Sequence, residues 1–509
     1  MVKMREAVAH WILMHEHPFS IAEEEGFNMM QQRGMPQWEK ISRVTAKKDC
    51  MLMYENEKKR LFALLKNVNK ISLTTDMWMS SPQKMEYMVV TGHFVDIDWK
   101  LQKHVLNFVH LAPPLRGIDI ADAIYKCCKE WGIEGKVFTI SVDNASKNDV
   151  AIRNLKDTFA RHKKLLCGGR MFHVRCTAHI LNIMVQFGLS KIESVIENIR
   201  DSVVHIKQSE GRLIMFSEIV QQLQLPYRKL VLDCKTRWNS TYEMLSVALK
   251  FKDVFPRYKD RDITYDCCPS NEDWEKAEKV CEILEVFNST TNIISGSEYP
   301  TSNLFLNEVF RVKEVLDRKY QESGDGDKFI FDMVTRMKIK CKMRAIEFSF
   351  PRMYHSLEAQ THILDVKNCL YELYNEYLVE YQSIGSENSA ETTSIGCTSS
   401  TSSASGSSSG WSQFQAFVKT VETITPQKSD LDIYLEEGCF ICDGDSRKFD
   451  ALEWWKANTL KYRVLSKMAR DVLAIPITTV ASESTFSAGE RKKNKKEKKA
   501  EEIALPINL

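Results

Sequence analysis

No stretch of the 509 residues approaches the run of about 18 apolar side chains that a membrane-crossing helix needs. The first 31 residues break their apolar patches with His and Glu, so no secretory leader is read there and no membrane partner is expected. Charge of one sign is also lacking. Lys and Arg number 70 against 68 Asp and Glu, a formal net charge of +2. Such a balance gives no chain-wide attraction to a polyanion, so any nucleic-acid contact must be local. Metal-ligand pairs are scarce too. The single C-x-x-C, Cys439–Cys442 in "CFIC", is followed by no second cysteine pair and no histidine. Structural zinc needs four ligands at short spacings, and "CFIC" reads more simply as two thiols in a loop. The 14 cysteines are otherwise scattered, as expected for small buried hydrophobes in a reducing compartment.

What is present is a globular composition with 43% hydrophobic residues and length for two to four domains at about 100–200 residues each. Residues 1–70 carry apolar side chains at three- and four-residue spacing in "VKMREAVAHWILMHEH" and "TAKKDCMLMYENEKKRLFALLKNV", a helical pattern. Between them "GFNMMQQRGMPQWEKIS" reads as a loop. Residues 71–185 change character. Strands are predicted at Ile71–Asp76, Tyr87–Asp96, Lys100–Leu111 and Lys136–Asp143, with a short fifth at Phe172–Cys176. A helix is predicted over Ile118–Trp131, ending at Gly132. Hairpin strands followed by a helical crossover describe a mixed sheet with helices against it.

Residues 186–382 read as helical, most clearly "WEKAEKVCEILEVFNSTTNII". Residues 383–410 are Ser-rich and of low complexity, the composition of a flexible linker. Residues 411–489 form an apolar unit, and residues 490–509 a lysine-rich tail. The fold class is therefore α/β with a large all-α part: a mixed sheet interrupted by a helical insertion, then a C-terminal helical region.

Strand alternation singles out two acids. In "ISLTTD", Ser72, Thr74 and Asp76 share a face; in "KVFTISVD", Thr139, Ser141 and Asp143 do. If the strands are neighbours, the two carboxylates converge and need a cation between them. Mg²⁺ takes oxygen ligands and keeps several waters, so few acids suffice. The competing reading is that both acids cap turns, since "DMWMSSP" and "DNASKND" are good turn or helix-entry sequences. Spacing alone leaves both open.

Six blocks in order, "LTTDMWMSS", "YMVVTGHFVDIDWKLQKHVLNF", "FTISVDNASKND", "FHVRCTAHILNIMVQFGLSKI", "KTRWNSTYEML" and "LAIPITTVASESTFSAG", resemble the hAT superfamily of DNA transposases, in particular the plant RICESLEEPER-type, BED-finger-associated group. The likeness runs from about residue 3 to residue 489. It implies an RNase H-like core holding a DDE triad, split by the insertion, with a C-terminal dimerisation region. The triad matches Asp76, Asp143 and Glu483, which the resemblance makes ligands for Mg²⁺ or Mn²⁺. The family's C-x-x-H matches Cys176 and His179 as active-site support, although a core Cys and a hydrogen-bonded His are the commoner reading. Its Arg-Trp pair matches Arg237 and Trp238: the first a phosphate contact or an acid's partner, the second a base-stacking or a packing ring. The lysines Lys492, Lys493, Lys495 and Lys496 read as a nuclear-localisation signal, a phosphate-contacting tail or a solvated charge run.

The chain departs from the family in three places. No BED zinc finger precedes the core, so zinc is not expected; the insertion looks short before "EFSFPRMYHSLEAQ"; and the lysine tail replaces the segment after Gly489. Two functions follow. One is a transposase-derived nuclear DNA-binding protein, domesticated or inactive, dimerising through its C-terminal region with itself or with related hAT-type proteins. The other is an active metal-dependent DDE transposase. Neither takes a small-molecule substrate.

Overall fold

The computed structural model describes residues 1–80, 84–235, 237–322, 356–390, 428–437 and 449–480, with backbone alone for 356–359 and 384–390. Glu483, the four tail lysines, the "CFIC" pair and residues 391–410 of the expected linker lie outside the described residues.

The N-terminal unit is built of helices α1 (Val2–Met14), α2 (Glu25–Gly34) and α3 (Arg43–Lys66). Helix α2 corrects the expected loop. Its Phe27 and Asn28 face inward, and Asn28 bridges the Ala22 carbonyl and the Trp38 indole N–H, both at 2.9 Å. Burial of one apolar ring beside a satisfied amide outweighs the weak periodicity of "GFNMMQQRG".

The sheet follows, in the spatial order β3-β2-β1-β4-β5. Strands β1 (Ile71–Ser80), β2 (Met85–Val95) and β3 (Leu101–Leu111) are antiparallel neighbours, while β4 (Val137–Val142) and β5 (His173–Arg175) extend the other edge in parallel. Helix α4 (Gly117–Glu130) makes the crossover and α5 (Ser146–His162) the return. The α4 end fits its sequence, since Gly132 sits at φ +62°. One face of the sheet is apolar: Leu73, Met88, Val90, Phe94, Ile140 and Val142 pack against α4 and α5. The other carries Ser72, Thr74, Thr91, His93, Thr139 and Ser141, all buried. Period 2 thus places hydroxyls on one side of the central strands and hydrocarbon on the other.

The insertion is helical, with α6 (Thr177–Leu189), α7 (Glu193–Lys207), α8 (Glu210–Gln222), α9 (Trp238–Leu249), α10 (Val254–Arg261), α11 (Asn271–Ile294) and α12 (Phe305–Glu322). Helix α11 starts at a capping box in which Ser270 and Asp273 bond each other's backbone N–H. Its Ala277, Val280, Ile283, Leu284 and Phe287, at three- and four-residue spacing, enter the insertion's core. A buried bidentate pair, Arg200 to Asp233 at 2.7 Å twice, ties α7 to the segment before α9.

Helix α13 (Ser356–Ala390) returns the chain to the core, followed by α14 (Asp430–Glu436), α15 (Ala451–Ala457) and α16 (Leu465–Leu473). The predicted linker start at 383 is corrected, because α13 continues through Ala390. Strong helix formers upstream carry the helix into polar sequence that has no packing preference of its own. Helix α13 is seated by acids: Glu380 accepts from buried Lys70 at 3.1 Å, Glu376 from the Cys167 N–H at 2.8 Å, and Glu372 pairs with Arg170.

Candidate active site

The strand register leads toward Asp76 and Asp143. The parallel pairing of β1 with β4 sets Ser72 opposite Thr139 and Thr74 opposite Ser141. The pairing ends there and β4 ends at Val142, so Asp143 follows just past the strand; carrying the register on by two residues would bring it toward Asp76 on the polar face. Both are half-buried.

Asp76 does not end its strand as expected. Strand β1 runs on to Ser80, because β2 continues to pair with it: Asp76 opposes Val89 and Trp78 opposes Tyr87. Asp76–Ser80 ("DMWMS") is therefore strand, and the turn reading at Asp76 is overturned. Asp76 lies where β1 loses its parallel neighbour and keeps its antiparallel one. The Met77 N–H donates to Asp76 Oδ1 at 2.8 Å. Asp143, by contrast, does enter a turn. Its Oδ1 accepts from the Ala145 N–H at 2.9 Å and from Asn148 Nδ2 at 2.5 Å, which opens helix α5. The turn reading and the site reading are compatible, because Oδ2 points no bond into that turn.

The surrounding charges leave room for a cation. Among the described residues Asp143 makes no ion pair, and the neighbouring cation Arg175 bonds Asp149 at 3.0 Å and Asn144 at 3.4 Å instead. Half-buried carboxylates are the donor type that suits a hard divalent ion. Among the described residues no group of three or more His, Cys, Asp or Glu could hold a metal ion. Deeper on the polar face, Thr74 Oγ1 lies 3.0 Å from His93 Nε2. Burial, with Lys103 and His104 nearby, lowers the His93 pKa to about 3, so the ring is neutral.

The segment Ile475–Thr479 crosses this face after α16. Ser141 Oγ donates to the Pro476 carbonyl at 2.5 Å, and the Thr177 N–H to the Ile477 carbonyl at 2.9 Å. Thr479 donates through both N–H and Oγ1 to Cys176 Sγ, each at 3.4 Å. Cys176, buried at the start of α6, thus clasps the C-terminal chain beside the carboxylates. His179 is half-buried on the first turn of the same helix. Arg237 is exposed at the N-cap of α9. Trp238 is 3% exposed, edge-on to Phe287 at 6.4 Å between centroids, within the insertion's core. Its ring packs, and in this conformation offers no face to a base.

Sequence reasoning missed Asn148 and Thr479. The first had a signal, lying five residues after Asp143 in "DNASKND". The second had none, since its partner is 303 residues away.

The sheet order, with a helical insertion before the C-terminal segment returns to the polar face, defines an RNase H-like core. Comparison with known proteins carries this further: the ZBED1 RNase-like domain matches residues 74–171, the ZBED1 RNase-like helical domain residues 174–283, and the hAT family C-terminal dimerisation region residues 430–502. The chain is 33% identical to "Zinc finger BED domain-containing protein RICESLEEPER 2" of Oryza sativa subsp. japonica, over 95% of its own length and 70% of that relative. It is 33% identical to "Putative AC transposase" of Zea mays, over 94% of its own length and 61% of that relative. With "Zinc finger BED domain-containing protein DAYSLEEPER" of Arabidopsis thaliana it shares 30% identity, over 95% of its length and 69% of the relative. The chain belongs to the hAT transposase-related family.

Proposed function

We propose that the protein is a nuclear, transposase-derived DNA-binding protein that dimerises through its C-terminal region, and that its sheet retains a metal-dependent phosphodiester site. The observation that supports the site is the register, whose pairs Ser72 with Thr139 and Thr74 with Ser141 lead toward Asp76 and Asp143. With Glu483 they would hold Mg²⁺ or Mn²⁺, and the bound ions would supply Lewis acidity for in-line attack on a phosphodiester. Asn148 and the Ala145 N–H fix the Asp143 carboxylate, so one oxygen is oriented away from the turn. Cys176 holds the C-terminal chain against the site, and His179 stands one turn further along α6. Arg237 and the lysines Lys492, Lys493, Lys495 and Lys496 contact phosphate. The dimer partner is a second copy or a related hAT-type chain, supported by the match over residues 430–502.

The second reading is a domesticated protein that binds DNA without chemistry, since a fold outlives its reaction. Nicking of supercoiled plasmid with Mn²⁺ separates the two. Wild-type nicking that is abolished in Asp76→Asn and in Asp143→Asn supports the retained site. Equal nicking by wild type and variants places the activity elsewhere. No nicking by the wild type, with DNA retained on a filter, leaves the binding protein.

A further inference from the structure

Among the described residues, three cations at and before α16 form no ion pair. Lys467 and Arg470, three residues apart, share a side of α16, and Arg463 lies in the turn that leads into it. With Trp99 in the β2–β3 turn and Tyr381 on α13 they line a groove of about 470 Å³. Among the described residues none of the three makes an ion pair, although 25 such pairs are formed elsewhere. The Lys467 ammonium instead lies 4.4 Å from the centre of the Tyr381 ring. Burial, then the charge of Arg470, lowers the Lys467 pKa against the raising effect of Glu380, so an anion in the groove would relieve the remaining repulsion.

The groove also has a definite relation to the carboxylates. On β2, Val89 opposes Asp76, and alternation puts Val89, Thr91, His93 and Val95 on one face. Val95 packs with Trp99, Leu473 and Ala474. Helix α16 therefore sits on the polar side of the sheet, six residues along β2 from the Asp76 row, about 20 Å at 3.3 Å per residue.

We infer that Arg463, Lys467 and Arg470 form a phosphodiester-backbone site that holds DNA on the same side of the sheet as Asp76. This rests on the DNA-binding reading above and assigns it a surface. The contact is to the backbone, so it carries no base preference.

The test is the salt dependence of duplex binding by the full chain, measured by anisotropy of a fluorescein-labelled duplex across a KCl series. Removing one phosphate contact flattens the slope of log K against log salt by about 0.9, and removing three by about 2.7. The expected result is a slope flattened by about 0.9 in Lys467→Gln and by about 2–3 in Arg463→Gln/Lys467→Gln/Arg470→Gln, equally for two unrelated duplex sequences. Lys47→Gln/Lys48→Gln, exposed on α3, serves as the control and keeps the wild-type slope. Wild-type slope and affinity in the triple variant overturn the groove while leaving DNA binding intact. Absence of any salt-dependent binding by the wild type overturns both. An unchanged slope with a shift from dimer to monomer in sedimentation assigns the groove to the dimer surface and overturns the proposal. Arg463→Gln alone, at an exposed position, keeps the test decisive if the triple variant loses its circular-dichroism signal.

Discussion

Cys176 and Thr479 stand 303 residues apart in sequence and meet beside the candidate site, where Thr479 N–H and Oγ1 both donate to the Cys176 sulfur at 3.4 Å. The clasp joins the first turn of the insertion to the strap that crosses the polar face. Cys176→Ala leaves a buried N–H without an acceptor, at a cost of about 1–3 kcal/mol. A urea titration should show the lowered midpoint at unchanged m. Cys176→Ser keeps an acceptor and should lose less.

The carboxylate pair can be read without any assay of activity. Brought together, Asp76 and Asp143 repel when no cation lies between them. In EDTA, Asp76→Asn should melt at or above the wild-type temperature. Added Mn²⁺ should raise the wild-type melting temperature, with about 2.7 kcal/mol gained at a hundredfold excess over Kd. The variant should gain far less. Equal stabilisation of both proteins would remove Asp76 from the ligand set.

Trp238 tests the division between packing and recognition. Its ring is buried against Phe287 in the insertion's core. Trp238→Ala should cost about 3–5 kcal/mol of stability. At temperatures where the variant stays folded, the salt slope of DNA binding should be unchanged. A loss of DNA affinity at full stability would return the ring to the nucleic acid.

Asp471 on α16 gives a pH signature. It is buried, and accepts from the Tyr377 hydroxyl at 2.8 Å. Burial raises its pKa from 3.8 to about 6, against the lowering effects of that bond and of Arg470 and Lys70. The folded state therefore holds this proton more tightly than the unfolded state does. Its contribution is full below about pH 4 and is lost as pH rises through about 6, a difference of about 3 kcal/mol. Asp471→Asn should be more stable than wild type at pH 8 and equal to it near pH 4. A pH series of denaturation midpoints that runs parallel for the two proteins would refute this.

Much of the sheet was legible because its signals are local. Alternation in "ISLTTD" and "KVFTISVD" assigned the polar and apolar faces, and Gly132 marked the end of α4. The N-terminal helix α2 and the last turns of α13 were not legible. Their local patterns are weak, and one distant packing partner or one strong upstream helix decides them. The pair Asp76 and Asp143 was half legible. Alternation gave each acid its face, while the extension of β1 past Asp76 depended on β2, which no local pattern in "DMWMSS" reports.

The sequence by itself determined periodicity, face and family, since these are properties of neighbouring residues and of motif order. Only the tertiary structure decided proximity. Strand register set Thr74 beside Ser141 on the approach to the two acids, helix packing drew Trp238 into the core, and the return of the chain brought Thr479 to Cys176. Each of these is a relation between segments far apart along the chain, fixed by the joint burial of surfaces that no single segment contains.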